Sequence, residues 1–401
     1  MDFYGYMRPN GKAGARNYVL LLPVNRSLNF IASNVERMTR NTRHFEIPAE
    51  TGRTEVDREV IARTLIGLMN NANVGGIVLL AVKSGASSAY KNMCAERFEE
   101  EARKTGKPLR IVYLTNVGGS YNMLGETLRL TREVLLEVSD FRRENCPLSA
   151  LTLGVKCGTS DATSGIAGNP CVGAAFDQLI RAGGTAFFSE TTEIIGAEDL
   201  VAKRAVNESV AKKILSAARH WEDKAKATGE DIRKINPIPA NIAAGISSLE
   251  EKSLGAIAKS GTSPIQDVLK YAEMPKGSGL YFVDSWMSSL SLPLCLTACG
   301  ATIMLYQMGG GKIAQHPMMP SINPTVVSPF LYLTGNAVAY SRAPDNFDFD
   351  ASSIMTEGAS IPEMGTKLLE HLSAIASGTM TKMETLNYAE QLELYMEGPV
   401  L

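Results

Sequence analysis

The sequence has no surplus of one charge, with 40 Lys and Arg set against 42 Asp and Glu. A nucleic-acid binder needs a basic face, so nucleic acid is not an expected partner, although local clusters still suit small anions. Long apolar runs are also missing. Nothing approaches the roughly 20 apolar residues that span a bilayer, and MDFYGYMRPNGKAGARN has no basic-then-apolar leader pattern. The expectation is no membrane partner and a cytoplasmic location. Cysteine is sparse: Cys94, Cys146, Cys157, Cys171, Cys295 and Cys299 form no CxxC pair, and Cys295 and Cys299 read as small buried residues four apart. Such spacing argues for reduced thiols, against a disulfide framework and against a structural zinc site. Of the four histidines, His44, His220 and His371 show no ligand spacing. Internal repeats and low-complexity tracts are absent.

What is present is ordinary core material: 45% hydrophobic and 20% charged residues in a chain of 401. That length predicts two or three packed units. Apolar runs beside Gly or Pro read as buried strands: YVLLLPV from Tyr18, GGIVLLAV from Gly75, LRIVYLT from Leu109, LTLGVKC from Leu151, TAFFSE from Thr185, GLYFVDS from Gly279 and ATIMLYQM from Ala301. Helical patterns lie between them. The alternation predicts an α/β fold of largely parallel sheets flanked by helices, with ligands at the carboxyl ends of strands. Charged and proline-containing passages at RRENCPLSA and HWEDKAKATGEDIRKINPIPA divide the chain into expected units 1–145, 146–235 and 236–401. A chain of this size and type is also expected to form a symmetric homo-oligomer.

Chemistry concentrates between Val155 and Glu198. After LTLGVKC, a small and polar loop presents Cys157, Ser160, Asp161 and Ser164 ahead of a helix opened near Asn169 and Pro170. Backbone N–H groups at a helix start favour an anion, so a carboxylate substrate would suit this loop. TAFFSE ends at Glu190, with Glu193 and Glu198 close behind. Carboxylates in a cleft serve as acid or base or hold a divalent cation; Glu193 and Glu198 fit equally well as decoration of a helical first turn. Near the N-terminus Arg16 and Asn17 offer a fork and an amide, and Arg26 ends a strand, whereas Arg8 and Lys12 fit a solvated turn. Lys83 and Ser84 follow GGIVLLAV, where a serine helix cap is the ordinary alternative. Gly309 to Gly311, with Lys312 and His316, lack the spacing of a nucleotide P-loop; His316 reads as a loop histidine or a proton shuttle.

These motifs resemble the altronate and galactarate dehydratases and the related sulfolactate sulfo-lyase large subunit. The resemblance runs from FYGYMRPNGKAGARNYVLLLPV through KCGTSDATSGIAGNPCVGAAFD and GGTAFFSETTEIIGAE to NPIPANIAAGISSLEEKSLGAIAKSGTSPIQDVL. It implies the family's large catalytic part, which in relatives follows or pairs with a small β-rich module. None precedes Met1, so a separate small β-rich subunit is an expected partner. It also implies removal of water or sulfite from a small hydroxy or sugar acid by abstraction of the α-proton and β-elimination. Lys156, Cys157, Asp161, Glu190 and Glu193 would be catalytic, with Ser160, Ser164 and Glu198 beside them. The dehydratases are iron-dependent.

Departures from the family pattern point to a rebuilt or metal-free pocket. Asn25, Arg26 and Ser27 stand where the family has Asn-Cys-Ser, and AVKSGAS stands where it has Gly-Cys, so Cys157 is the one retained metal candidate. A lone thiolate is a poor iron site. PANIAAG replaces Pro-Gly-Asn-Lys-Ala-Gly-Gly, placing Ile242 at the lysine position, and YQMGGGK replaces Thr-Thr-Gly-Arg-Gly. Arg26, Lys83 and Lys312 would restore positive charge. The competing readings are an inactive paralogue that binds a sugar acid or partner subunit, and a hydroxy-acid epimerase or isomerase.

Overall fold

The computed structural model describes residues 1–83, 91–310, 323–386 and 393–399. Four parallel strands form a first sheet in the order Thr42–His44, Tyr18–Pro23, Val74–Ala81, Leu109–Tyr113. Side chains alternate across a strand. Val19 and Leu21 therefore meet helices Asn29–Met38 and Ser120–Ser139, while Leu20 and Leu22 meet helices Glu55–Asn70 and Ala95–Lys104. Both faces are covered, which is why these strands read as unbroken apolar runs.

A second, seven-stranded parallel sheet has the order Ile265–Leu269, Gly279–Val283, Thr185–Phe188, Thr152–Gly158, Ile303–Met308, Phe330–Thr334, Phe349–Asp350. Leu153, Val155, Phe188 and Leu305 pack one face under helices Asn169–Arg181 and Ile361–Ala376; Phe187, Tyr281, Met304 and Tyr306 pack the other near helix Ser291–Ala298. The expected units 146–235 and 236–401 both contribute strands to this sheet, and Thr185–Phe188 hydrogen-bonds directly to Gly279–Val283. One sheet, and hence one core, contains both stretches. The charged passage taken as a linker begins as the end of helix Glu208–Ala227 and continues through the short helix Ile232–Ile235.

The two sheet units dock closely. A Cβ on Gly67 would lie 2.2 Å from Ala298 O, so only glycine admits this approach of helix Glu55–Asn70 to helix Ser291–Ala298. The Asn71 amide donates to Thr297 O and Ala301 O, both at 2.9 Å. A small antiparallel sheet, Ala13–Gly14, Asp2–Met7, Glu144–Pro147, ties the N-terminus to the start of the second unit. No helix among the described residues is long and apolar enough to cross a membrane.

The second sheet grows outward in opposite directions from Thr152–Gly158: Thr185–Phe188 lies on one side and Ile303–Met308 on the other. Such a reversal opens a crevice at the carboxyl ends of the strands, where α/β folds bind ligands.

Candidate active site

A cleft of 310 Å³ occupies that crevice, lined in part by Lys156, Cys157, Glu190, Glu193, Lys252 and Tyr306. Register sets Lys156 opposite Tyr306. The Lys156 ammonium lies 4.7 Å from the Tyr306 ring centre and donates to Cys157 O at 2.6 Å. Just beyond strand Thr185–Phe188, Glu190 takes a left-handed conformation at φ 73°, a strained choice for a glutamate. In that geometry its Oε2 accepts from Cys157 N at 3.0 Å, from Cys157 Sγ at 3.3 Å and from Lys259 Nζ. Lys259 also donates to Cys157 Sγ at 3.1 Å, and Lys156 Nζ stands 3.5 Å from Glu190 Oε1.

Glu193 forms a second pair. Its Oε1 accepts from Lys252 Nζ at 2.9 Å, and Lys252 also donates to Asn236 Oδ1 at 2.5 Å. Glu193 Oε2 is buried and has no hydrogen-bond partner among the described residues. Asn241 completes this wall by donating to Ser160 O at 2.9 Å.

The electrostatics separate fixed charges from available groups. Burial pushes the Glu190 carboxyl up, but the Lys259 and Lys156 ammoniums more than reverse this and hold it below its ordinary value. Burial opposes the charge on Lys156 and Lys259 as well. Tyr306, Glu190 and Cys157 nevertheless hold Lys156 above the ordinary lysine value, and Cys157 and Glu190 do the same for Lys259. Burial, then the Glu190 carboxylate, push the Cys157 thiol up to about 11, so it is neutral near pH 7. Three buried lysines, Lys156, Lys252 and Lys259, face two buried carboxylates, Glu190 and Glu193, leaving one positive charge in excess. One substrate carboxylate would neutralise it.

Lys156, Cys157, Ser160, Glu190 and Glu193 are thus brought together in the cleft. Other candidates are placed elsewhere. Asp161 accepts from Thr163 Oγ1 at 2.6 Å, Ser164 N at 3.1 Å, Gly310 N at 2.8 Å and Asn336 Nδ2 at 3.0 Å. Its carboxylate clamps the loop and serves the start of the helical segment, where an external anion was expected; Ser164 Oγ accepts from Asp161 N at 3.2 Å. Glu198 opens helix Glu198–Ala202 and accepts from Gly196 N at 2.5 Å, so it caps a turn.

Arg16 and Asn17, expected to bind substrate, are held by partners within the fold. Arg16 grips Glu384 through Nε and Nη2, both at 2.7 Å, and donates to Ala15 O, Ile375 O and Thr379 O. Asn17 accepts from Arg8 Nη2 at 2.8 Å and donates to Val138 O at 3.0 Å. Arg26 and Lys83 follow neighbouring strands of the first sheet; both are exposed and neither lines the cleft. Buried lysines supply the charge expected of them. Ser84, Lys312 and His316 lie outside the described residues.

The family's C-terminal model, described as D-galactarate/Altronate dehydratase, C-terminal, matches residues 148–399. The chain belongs to the D-galactarate/altronate dehydratase family. A further model, D-galactarate dehydratase/Altronate hydrolase, second domain, matches residues 5–139. The chain is 32% identical over 394 residues to (2R)-sulfolactate sulfo-lyase subunit beta of Chromohalobacter salexigens, covering 97% of this chain and 96% of that one. It is 29% identical over 409 residues to altronate dehydratase of Bacillus subtilis, covering all of this chain and 78% of the relative. With galactarate dehydratase (L-threo-forming) of Escherichia coli it shares 28% over 426 residues, covering 99% and 77%. By these names the relatives are lyases.

The iron that the family resemblance implies finds no fitting donor set among the described residues. No group of three His, Cys, Asp or Glu side chains there is placed to hold a metal ion, and the neutral thiol of Cys157 faces the Lys259 ammonium, which repels a second cation. Lys252, Lys259, Tyr306 and Asn241 were not singled out from sequence. One signal for the lysines was present: they stand seven apart, two helical turns, in LEEKSLGAIAKSG beside Ser253, Ala256 and Ser260, all buried.

Proposed function

We propose that this chain is a lyase that takes the proton next to the carboxylate of a small hydroxy or sugar acid and expels the β-substituent. Glu193 Oε2 is the base. Lys156 and Lys252 neutralise the carboxylate and the enediolate formed from it, and the Tyr306 phenol protonates a departing hydroxyl, whereas a sulfonate departs as sulfite with the C–S electron pair. The C–H electron pair first forms the enediolate, which solvent can reprotonate at carbon; it then becomes the new C=C bond as the β-substituent leaves with its own pair, and the enol tautomerises to a 2-keto acid. The proton on Glu193 restores that of Tyr306 through solvent.

The observation that carries this reading is the unpartnered Glu193 Oε2 in a cleft with one positive charge in excess. Lys156 and Lys259 are held protonated, and Glu190 Oε2 already accepts three hydrogen bonds, so Glu193 offers the available lone pair. The subunit name of the 32% identical relative also supports assembly with a second kind of subunit. To test the reaction, the purified protein is incubated with D-altronate, D-galactarate and (2R)-sulfolactate, and keto-acid product is followed by NMR. Turnover of at least one acid is expected, with kcat reduced about 10²- to 10⁴-fold by Glu193→Gln. No turnover of any acid would overturn the proposal; α-hydrogen exchange without elimination would favour an epimerase or isomerase.

A further inference from the structure

Ser160 and Lys252 stand in the wall of the cleft. Both residues also line a second chamber of 300 Å³, whose other walls include Gly165, Asn169, Ile246 and Leu254. Asn169 opens helix Asn169–Arg181 and is 1% exposed. Its Nδ2 donates to Gly255 O at 2.8 Å, which fixes the amide, and its Oδ1 has no hydrogen-bond partner. Buried polar groups are normally satisfied, so a buried acceptor in the wall of a cavity calls for a donor from whatever fills it.

The wall shared by the two chambers gives that donor an identity. Lys252 bonds Glu193 in the first chamber and forms part of the wall of the second. A hydroxy acid with its α-carbon at Glu193 and its chain laid along Lys252 and Ser160 would bring its distal end to the second chamber. Small and apolar walls at Gly165, Ile246 and Leu254 accommodate a carbon chain, and Asn169 Oδ1 is an acceptor without charge. A carboxylate or sulfonate at that end would meet an acceptor, whereas a hydroxyl would donate to it.

We infer that this chamber is the specificity-determining subsite for the chain distal to the reacting carbons, with Asn169 Oδ1 accepting from a substrate hydroxyl. The inference rests on the reading of the cleft as the acid site. It selects hydroxy acids long enough to carry that hydroxyl over three-carbon acids.

Binding calorimetry tests this without requiring turnover. The probes are the six-carbon D-gluconate, D-altronate and D-galactonate, with three-carbon D-glycerate as the short acid. At least one six-carbon acid should bind more tightly than glycerate. Asn169→Leu removes the acceptor. Leu254→Trp, at a side chain 51% exposed, fills the chamber and leaves Asn169 intact should the first variant fold poorly. Each should raise the six-carbon Kd about tenfold and leave the glycerate Kd within about twofold. Equal weakening of long and short acids, no weakening of the long acid by a folded variant, or no binding of any acid to the wild type would overturn the inference. Tight binding without turnover would instead overturn the proposed reaction and leave the subsite standing.

Discussion

Glu190→Gln should destabilise the protein more than Lys259→Met, although the two residues are partners. The Lys156, Glu190 and Lys259 side chains are 4%, 1% and 2% exposed, and Glu190 is the carboxylate that bridges both ammoniums. Replacing it leaves two buried positive charges without that anion, and breaking a buried pair in this way costs about 3–5 kcal/mol. Replacing Lys259 leaves Glu190 with Lys156 and the Cys157 N–H, so the main loss is the charge-assisted hydrogen bond to Glu190, about 1.5–3 kcal/mol, with the weaker one to Cys157 Sγ lost beside it. Methionine also keeps much of the lysine stem volume. The double variant should be more stable than Glu190→Gln alone, because one of its two unpaired ammoniums is gone.

Urea denaturation followed by fluorescence of Trp221 and Trp286 measures this cycle. Glu190 titrates below its ordinary 4.5, so its contribution is present above that pH and is lost as the pH falls through the lower folded value. Lys259 titrates above its ordinary 10.5, so its contribution is present below that pH and is lost as the pH rises through the higher folded value. The gap between the variants should therefore be flat across neutral pH. A Lys259→Met cost equal to or above that of Glu190→Gln, or a double variant less stable than Glu190→Gln, would refute the reasoning.

Arg16→Lys should cost about 3–5 kcal/mol in the same denaturation assay, since lysine cannot reproduce the bidentate grip on Glu384, while KM stays unchanged. A raised KM with unaltered stability would return Arg16 to the substrate. Cys157, with its thiol pushed up to about 11, should resist iodoacetamide at pH 8 in the native protein while half-buried Cys94 is labelled; peptide mapping by mass spectrometry reads the outcome, and rapid labelling of Cys157 would contradict the assigned environment. Asp161→Ala removes the acceptor of five hydrogen bonds and should cost about 3 kcal/mol by urea denaturation. A catalytic loss without destabilisation would show that the clamp is not its role.

Local patterning carried much of the fold. GGIVLLAV is legible because every residue from Val74 to Ala81 is buried, as expected of an interior parallel strand. Thr42–His44 and Phe349–Asp350 escaped notice because they are short edge strands without an apolar run. Glu190 stood out through its strand-end position. Its partner did not, because Lys259 lies 69 residues further along the chain, and Lys252 lies 59 residues beyond Glu193. Arg16 was misread for the same reason: the carboxylate that occupies it is 368 residues distant. Spacing along a strand or helix shows which groups share a face, but pairings closed by tertiary contact leave no such local mark.

The central claim is that Glu193 removes the α-hydrogen, and solvent deuterium exchange tests it most directly. The acid turned over by the wild type is incubated in D₂O, recovered before completion and examined by proton NMR. The account predicts loss of the α-hydrogen signal from the recovered acid with the wild type, and its retention with a folded Glu193→Gln protein that still binds the acid. Exchange by Glu193→Gln at the wild-type rate would contradict it.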